Sequence, residues 1–493
     1  TNRKKALKRN MVDIISRLIP FYCIIKKGDS MINLKSNYKK PKQSFFIFFL
    51  TTFVIAAQEP ESIIEEIKVT KQRIDIVVNN SFKKAYLNEN FYVHYEDPDI
   101  DLSKFDSSIT SMPFIMNIIS IIWVSGKTYT IESMDETLYE SLKKIKEIFK
   151  IMYPKTSFNG ELIPKRLVHN DFLDPETAKI HEQDIAMLFS SGLDSYTSSL
   201  RNKNKNQLLI IVQRGFDIPF EKTKWAHIKQ QVKNFADLYG HTTSTLSSNF
   251  ISMLKYNVLW NRKLSPEIED FRLDLVEGLG WIGLVAPILL TKGYPTLFIG
   301  STITWLSEYP LACNPLIDDN LNCSKLSAHH DSFDLTRIEK QEFIKQFYAN
   351  NPIRPYIKVC FKGGLLNCLN CEKCIRTMCG FLLIDAHPNE YGFDISDEEA
   401  IIKIKNHLPN GFIPIPGLYI NMQKHILKKA SAETSFNEFQ NWFLDLDFYK
   451  RLGKNPKTKI DWCKLASFLP NTFFQHASHE NTPDCLLREK PNE

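Results

Sequence analysis

The turn that follows the apolar segment at Met187–Phe189 contains small residues and one acid. It reads Ser190, Ser191, Gly192, Leu193, Asp194 and Ser195. Small residues leave backbone N–H groups exposed, and a turn between a strand and a helix N-terminus can place those groups around an anion. The turn also offers hydroxyl donors and a carboxylate, a ligand type that Mg²⁺ prefers. The motif therefore indicates a phosphate-binding loop, although an ordinary turn in an α/β domain can have the same composition.

Four cysteines lie close together about 165 residues further along the chain. Cys360, Cys368, Cys371 and Cys374 have the spacing C-x7-C-x2-C-x2-C. Four thiolates at this spacing suit a tetrahedral Zn²⁺, with Cys360 expected at the end of a strand and the other three on a knuckle. A redox C-x-x-C pair and unligated buried cysteines are the alternatives, but a redox pair would not use four thiols. Cys379 is expected to be a core cysteine.

Strands and helices are expected to alternate from residue 184 onward. We predict strands at Asp184–Phe189, Leu208–Val212 and Thr296–Gly300, and helices at Asp194–Arg201, Trp225–Tyr239, Leu273–Leu290 and Ile338–Phe347. This alternation predicts a doubly wound parallel sheet in an α/β domain at residues 180–387, with its ligand at the carboxyl ends of the strands. Gly300, Ser301 and Thr302 would then lie at a strand end beside the Ser190–Ser195 turn, where a nucleotide could contact both, unless they form a plain turn.

The rest of the chain is expected to form separate regions. Residues 59–165 predict an N-terminal α+β domain with strands at Ile74–Val78 and Phe91–His94, a hairpin at Trp123–Ile131 and a helix at Met134–Met152. Residues 388–477 predict a helical C-terminal region, with helices at Glu398–His407, Tyr419–Lys429 and Phe436–Leu446. Residues 1–58 form an extension of uncertain structure, and residues 478–493 predict a flexible tail.

Charge and composition indicate which partners to expect. A net charge of +6 is small for 493 residues and gives no reason to expect nucleic acid. Met31–Gln58 runs from lysines into an apolar segment that ends at Ala56 and Ala57, as in a secretory signal peptide, or as in a buried strand or helix. The apolar run is too short for a comfortable membrane-spanning helix. Because an exported protein would risk oxidation of its clustered thiols, we expect a cytoplasmic location and no membrane partner.

Three motifs in order resemble the 7-cyano-7-deazaguanine synthase (QueC) family, a branch of the PP-loop ATP pyrophosphatases. They are Ser190–Ser195, His330–Lys340 and the cysteine block Asn367–Met378, and together they span about two-fifths of the chain. The resemblance implies a PP-loop fold, of the adenine nucleotide alpha hydrolase type, with a zinc knuckle. It implies ATP, Mg²⁺ and Zn²⁺ as cofactors. The implied activity is ligation: a deazapurine carboxylate is adenylated, and an amine then displaces AMP.

The resemblance also implies roles for particular residues. The pyrophosphate cradle would be formed by Ser190, Ser191, Gly192, Leu193, Ser195 and Gly300, with Asp194 on Mg²⁺. Arg337 and Lys340 would neutralise phosphate or substrate carboxylate, unless they form a solvated face paired with Glu339 or Glu342. His329 and His330 are either acid–base groups or ordinary surface or core residues. Ser191 stands where the family usually has glycine, so a positive φ there would weaken the loop.

The length of the chain bears on the amine acceptor. Simple biosynthetic members of the family are about half as long, whereas longer members occur in bacterial anti-phage systems, including the Qat type. The resemblance therefore favours ligation to a partner protein from the same defence operon. The alternatives are synthesis of 7-cyano-7-deazaguanine with ammonia and a non-catalytic nucleotide-binding scaffold. Thiolation of tRNA would need a strongly basic face, which the composition does not indicate.

Overall fold

The computed structural model describes residues 59–213, 218, 220–260, 264–304, 310–350, 353–360, 362, 364–411, 413, 415–430, 435–451 and 460–469. The expectations for the 1–58 extension, including its signal-like segment, and for the 478–493 tail lie outside these residues. Pro60–Glu493 groups into one compact unit. Among the described residues, no helix combines the length and the apolar character that crossing a bilayer requires.

Twelve strands and seventeen helices are assigned within the described residues. The strands are β1 Glu61–Ser62, β2 Ile64–Val69, β3 Arg73–Val78, β4 Phe91–Tyr95, β5 Thr128–Asp135, β6 Glu161–Val168, β7 Ile185–Leu188, β8 Gln207–Gln213, β9 Thr242–Ser248, β10 Thr296–Gly300, β11 Asn322–Cys323 and β12 Leu326–Asp331. The helices are α1 Asn80–Tyr86, α2 Ser107–Thr110, α3 Met112–Ser125, α4 Glu136–Met152, α5 Pro175–Ile180, α6 Leu193–Arg201, α7 Lys222–Tyr239, α8 Tyr256–Leu259, α9 Phe271–Leu275, α10 Glu277–Lys292, α11 Pro315–Asp318, α12 Arg337–Phe347, α13 Glu372–Leu383, α14 Asp397–His407, α15 Pro416–Lys429, α16 Glu438–Leu444 and α17 Trp462–Leu465.

The main sheet has nine strands in the order β11-β12-β10-β7-β8-β9-β4-β3-β2. Its five central strands, from β12 to β9, are parallel, whereas both edges are antiparallel. A second sheet, in the order β1-β5-β6, is parallel. The protein is therefore α/β with a mixed main sheet, and the expected parallel arrangement describes its centre only.

Both faces of the central strands are buried. Along β7 and β8, Ala186 and Ile210 join a hydrophobic cluster that includes α3 and α10. Their neighbours Met187 and Leu209 point the other way, into a cluster that includes α6, α7 and α13. Burial on both faces explains why these strands are continuously apolar in sequence, as in doubly covered parallel sheets.

Residues 59–165, which were expected to form a separate N-terminal domain, contribute strands to both sheets: β1, β5 and most of β6 form the second sheet, and β2, β3 and β4 belong to the main sheet. Strand β4 pairs with β9, with Val93 opposite Ser248, so this segment extends the main sheet. Its helix α3 is buried around nearly its whole circumference and packs against α10. The close approach is permitted by Gly283, where a Cβ would lie 2.6 Å from the Cβ of Met116. The 59–165 segment therefore shares a core with the strands that follow it.

The prediction of a hairpin at Trp123–Ile131 is wrong. Helix α3 continues to Ser125, and Gly126 ends it with a left-handed φ of 70° before β5 begins. Strand β5 then pairs in parallel with β6. The error arose because a helix that is apolar on all sides has no amphipathic period, so its sequence resembles a buried strand.

Most other predicted elements are confirmed to within a few residues at each end. They are β3, β4, β7, β8, β10, α4, α6, α7, α12, α14, α15 and α16. The helix predicted at Leu273–Leu290 is two helices, α9 and α10, which meet at Val276. The strand predicted before Cys360 is absent from the described residues, because 353–360 is irregular backbone.

Candidate functional site

The Ser190–Ser195 turn connects β7 to α6 at the carboxyl end of the central strands. Gly192 is the N-cap of α6 and makes no side-chain capping bond, so backbone N–H groups of the first turn of the helix are not capped by a side chain. Ser191 has a φ of 58°, the left-handed region that favours glycine. Its carbonyl accepts a 2.7 Å hydrogen bond from the backbone N–H of Lys358, which ties the turn to the segment before Cys360.

Gly300 brings the end of β10 against the start of α6. A Cβ at this position would lie 2.8 Å from the backbone carbon and oxygen of Asp194. No larger residue fits without moving the helix, so the expected closeness of Gly300 to the turn is confirmed. The contact places the first turn of α6 between the ends of β7 and β10, the neighbouring strands of the sheet.

Asp194 lies at the centre of a charged cluster. One carboxylate oxygen is 3.5 Å from a guanidinium nitrogen of Arg337, and the other is 3.5 Å from Nζ of Lys340. The Thr302 hydroxyl donates to Asp194 at 3.1 Å, and Lys340 also donates to the backbone carbonyl of Ser301. The side chains of Arg337 and Lys340 are 4% and 0% exposed, whereas that of Asp194 is 20% exposed.

Burial and the neighbouring charges shift the pKa values of this cluster in opposite directions. Burial acts to raise the pKa of Asp194, but the positive charges of Lys340 and Arg337 outweigh it and the pKa lies below its ordinary value. Burial lowers the pKa of Lys340 and of Arg337, and Asp194 offsets part of that effect. Two cations and one anion give these three residues a net charge of +1. A buried excess of positive charge favours an anionic ligand.

Helix α12 carries both cations into the interior. Thr336 begins the helix with a capping box. Its hydroxyl oxygen accepts a hydrogen bond from the backbone N–H of Glu339, and the Glu339 carboxylate accepts one from the backbone N–H of Thr336. Arg337 then donates to the hydroxyl of Thr377 on α13 at 3.1 Å. The alternative interpretation, in which Arg337 and Lys340 form a solvated face paired with Glu339 or Glu342, is wrong.

The four cysteines form a compact cluster. Their Sγ atoms all lie within 4.8 Å of one another, with separations such as 3.4 Å for Cys371 and Cys374 and 4.0 Å for Cys368 and Cys374. Tetrahedral coordination with Zn–S bonds of about 2.3 Å would place the sulfurs roughly 3.8 Å apart. The cluster therefore fits a zinc ion with no position left for a substrate, and it would have a structural role.

Asn367 folds the chain so that Cys360 reaches the knuckle. Its side-chain oxygen accepts from the backbone N–H groups of Val359 and Cys360, and its amide donates to the carbonyls of Ile357 and Gly392. Asn367 is the first residue of the cysteine block in the sequence, but the sequence analysis predicted no role for it. A buried asparagine that satisfies four backbone groups replaces the strand that we expected there.

Thr302, predicted to lie with Gly300 at a strand end, contacts Asp194, and Thr377, part of the cysteine block, contacts Arg337. The sequence indicated neither of these partners, because the contacts form only when the elements pack together. His330 is buried and hydrogen-bonded to Asp318 and Ser301, and His329 lies 3.6 Å from Asp319. Neither histidine contacts the Asp194 cluster directly through a described hydrogen bond.

No protein-family model, curated protein or solved structure matches the chain. The geometry therefore stands by itself: a turn and helix N-terminus at the carboxyl end of parallel strands, with two buried cations beside them. This arrangement suits an oxyanion such as a phosphate.

Proposed function

We propose that this protein is an ATP-dependent ligase of the PP-loop type that forms a C–N bond. In the first step a carboxylate oxygen attacks the α-phosphorus of ATP, so that an acyl-adenylate forms and pyrophosphate leaves. In the second step an amine attacks the acyl carbon, and AMP leaves. The resemblance favours a 7-carboxy-7-deazaguanine-like acid as the substrate.

One observation carries the proposal. The N-terminus of α6 and the two buried cations of α12 converge on Asp194 at the carboxyl ends of β7 and β10. Ligands of open α/β sheets bind at this edge, and helix N–H groups and cations stabilise the charge of a transferring phosphate. The pyrophosphate of ATP matches this edge in charge and in hydrogen-bonding chemistry.

Asp194 is the candidate Mg²⁺ ligand, because it is the acid of the turn and is one-fifth exposed. Arg337 and Lys340 would then bind the phosphate oxygens. Their ion pairs with Asp194, which form in the absence of ligand, would be replaced by contacts of Asp194 with Mg²⁺ and of the two cations with phosphate. The cysteine cluster would hold zinc and fix α13, whose Thr377 orients Arg337. Chemistry that needs ATP and reduced thiols fits a cytoplasmic location.

The amine acceptor distinguishes two versions of the reaction. We favour an amine of a partner protein from the same anti-phage operon, because the chain extends well beyond the segment that carries the three motifs. Ammonia as the acceptor would give an amide, and a second activation would give 7-cyano-7-deazaguanine.

A non-catalytic nucleotide-binding scaffold is the second candidate function. The observation that favours it is the φ of 58° at Ser191, where a serine is strained and glycine would not be. Such a protein would bind ATP in the same place without releasing pyrophosphate.

The test is release of pyrophosphate from MgATP in the presence of 7-carboxy-7-deazaguanine, with mass spectrometry of the products. Wild type is compared with Asp194→Asn and with Glu390→Gln, a matched control that removes an acid from an exposed ion pair with Arg354. We expect substrate-dependent release in wild type and Glu390→Gln, and its loss in Asp194→Asn.

The product mass identifies the acceptor. A mass addition on a protein co-expressed from the same operon supports protein ligation, and a nitrile product supports the ammonia version. Tight binding of MgATP with no release under any of these conditions would instead establish the scaffold.

A further inference from the structure

A second group of potential metal ligands lies outside the cysteine cluster. It comprises Cys313, Asp318 at the end of α11, and His330 on β12. The Asp318 carboxylate oxygen Oδ2 is 2.8 Å from Nδ1 of His330 and 3.2 Å from Sγ of Cys313. Sγ and Nδ1 are 3.9 Å apart. Three different donor atoms therefore face a common point.

The hydrogen bond from His330 to Ser301 sets the tautomer of the imidazole ring. It thereby determines which ring nitrogen directs its lone pair toward that common point. The Ser301 hydroxyl donates to the carbonyl of Ile303 at 2.6 Å, so its oxygen is free to accept a hydrogen bond from Nε2–H of His330 at 2.8 Å. Nδ1 is then unprotonated in the neutral ring and faces the Asp318 carboxylate, another acceptor. Two acceptors at hydrogen-bond distance need either a shared proton or a metal ion between them, and a second hydrogen bond from the outer nitrogen is usual for a metal-binding histidine.

The burial of Asp318 adds an independent observation. Its side chain is fully buried, and its other carboxylate oxygen, Oδ1, has no hydrogen-bond partner within the part of the chain that the structure describes. Gly278 makes room for it, because a Cβ there would lie only 2.1 Å from this oxygen. A buried carboxylate with an unsatisfied oxygen is stabilised when it ligates a cation.

We propose that Cys313, Asp318 and His330 form a second metal site, which takes a divalent transition metal of the Zn²⁺ class. Thiolate, imidazole and carboxylate together select such a metal over Mg²⁺ or Ca²⁺. With bonds of about 2.0 to 2.3 Å, tetrahedral geometry requires ligand separations of roughly 3.3 to 3.6 Å, and the separations of 2.8, 3.2 and 3.9 Å in the structure lie on both sides of that range. Thiolate and carboxylate together carry two negative charges, which balance the ion.

Three protein ligands leave a fourth position open, as in catalytic rather than structural zinc sites. Cys313 is only partly buried, whereas Asp318 and His330 are buried. Ser301 joins the site to the Asp194 cluster, since its hydroxyl contacts His330 and its carbonyl accepts from Lys340. The open position is suited to a water, amine or carboxylate of a substrate bound beside Asp194. The site itself does not depend on the proposed ligase activity.

The experiment is a Co²⁺ titration of the metal-free full-length chain, followed by absorption spectroscopy and by measurement of bound metal. Wild type should bind two equivalents: one with the strong charge-transfer band of four thiolates, and one with the weaker band of a single thiolate. Cys313→Ser and His330→Gln should each bind one equivalent fewer. Cys371→Ala should lose the four-thiolate band and retain the other.

Cys323→Ala is the matched control, because Cys323 is a buried free cysteine outside both groups. It should bind two equivalents, and circular dichroism should show that all variants fold. The wild-type spectrum tests the proposal even where a variant fails to fold. A single equivalent in wild type, or two in Cys313→Ser, would overturn the proposal and leave a proton-bridged Asp318–His330 ion pair.

Discussion

The cysteine cluster and the Asp194 cluster are opposite in charge balance, although both are buried and both contact α13. Four thiols converge in the first, and each becomes a negative charge when it ionises. In the second, Arg337 and Lys340 surround a single carboxylate, which leaves positive charge in excess. A buried group of charges is stable when its excess is neutralised. The first cluster, once its thiols ionise, would need a cation, whereas the positive charge of the second favours an anion.

Helix α13 connects these two requirements. Cys371 is its N-cap and Cys374 lies in its first turn, and Thr377, about one turn further, accepts from Arg337. A metal ion bound by these cysteines at one end of the helix would therefore help to fix the position of Arg337 beside Asp194. The comparison of the two clusters shows that one helix can connect a metal site with a ligand site.

The largest expected effect is loss of the metal at the cysteine cluster. Cys371→Ala should lower the free energy of unfolding by on the order of 5 kcal/mol or more, because structural zinc contributes directly to folding. Chemical denaturation with and without chelator measures it. The control is Cys379→Ala, a buried cysteine of the same helix that is not part of the four-cysteine cluster, which should lose roughly 1 to 2 kcal/mol. Equal losses in the two variants would contradict a metal at this cluster.

Asp194→Asn should destabilise the protein by about 3 to 5 kcal/mol, because it leaves two buried cations without their anion. Inorganic pyrophosphate should then raise the thermal midpoint of this variant more than that of wild type. Differential scanning calorimetry with and without pyrophosphate measures both effects. A midpoint that pyrophosphate leaves unchanged would show that the cluster is a structural ion network and not an anion site.

Lys340→Met should weaken pyrophosphate binding at least tenfold, about 1.4 kcal/mol, because it removes the excess positive charge at similar volume. Lys345→Met on the same helix is the control, since its Nζ donates to the carbonyl of Ile384 and not to Asp194. Isothermal titration calorimetry should separate the two variants. Equal affinities in both would show that Lys340 is not part of the anion site.

Ser191→Gly should stabilise the turn by about 1 kcal/mol, because glycine adopts the observed φ of 58° without strain. Ser324→Gly provides a control at a similar φ of 54°, next to β11 and away from the turn. Only Ser191→Gly should also tighten MgATP binding. If both variants change affinity alike, the backbone strain at Ser191 has no connection to nucleotide.

A fall in pH should weaken the ion pairs of the Asp194 cluster, and we expect this loss of stability to be smaller than the effects of the substitutions above. Because the folded pKa of Asp194 is below its ordinary value of about 4, its ion pairs contribute stability above that pH and lose it as the pH falls further. Asp194→Asn should therefore show a flatter loss of stability below pH ~4 than wild type. Thermal midpoints measured across this range, with Glu390→Gln as control, provide the test.

The sequence predicts contiguous features better than assembled ones. The cysteine spacing lies within fifteen residues, from Cys360 to Cys374, and the structure brings all four sulfurs together. The position of Gly300 at the end of β10, close to the turn, was predicted from the rule that ligands bind at strand ends. The hairpin at Trp123–Ile131 failed because total burial removes the periodicity that distinguishes a helix from a strand.

Long-range partners could not be predicted from the sequence. Thr302 and Thr377 are common residues that gain a role only when α6, α12 and α13 meet. The pairing of β4 with β9 joins segments about 150 residues apart, and no local pattern indicates it. Arg337 and Lys340 were expected as candidates, but their burial against Asp194 depends on how α12 packs.

The most direct test of the central claim is exchange of labelled pyrophosphate into ATP, which requires reversible formation of an acyl-adenylate. With MgATP and 7-carboxy-7-deazaguanine, wild type and Glu390→Gln should show exchange that depends on the carboxylate, and Asp194→Asn should show none. Exchange that is absent in wild type, while MgATP is bound with measurable affinity, would contradict adenylation and establish a nucleotide-binding scaffold.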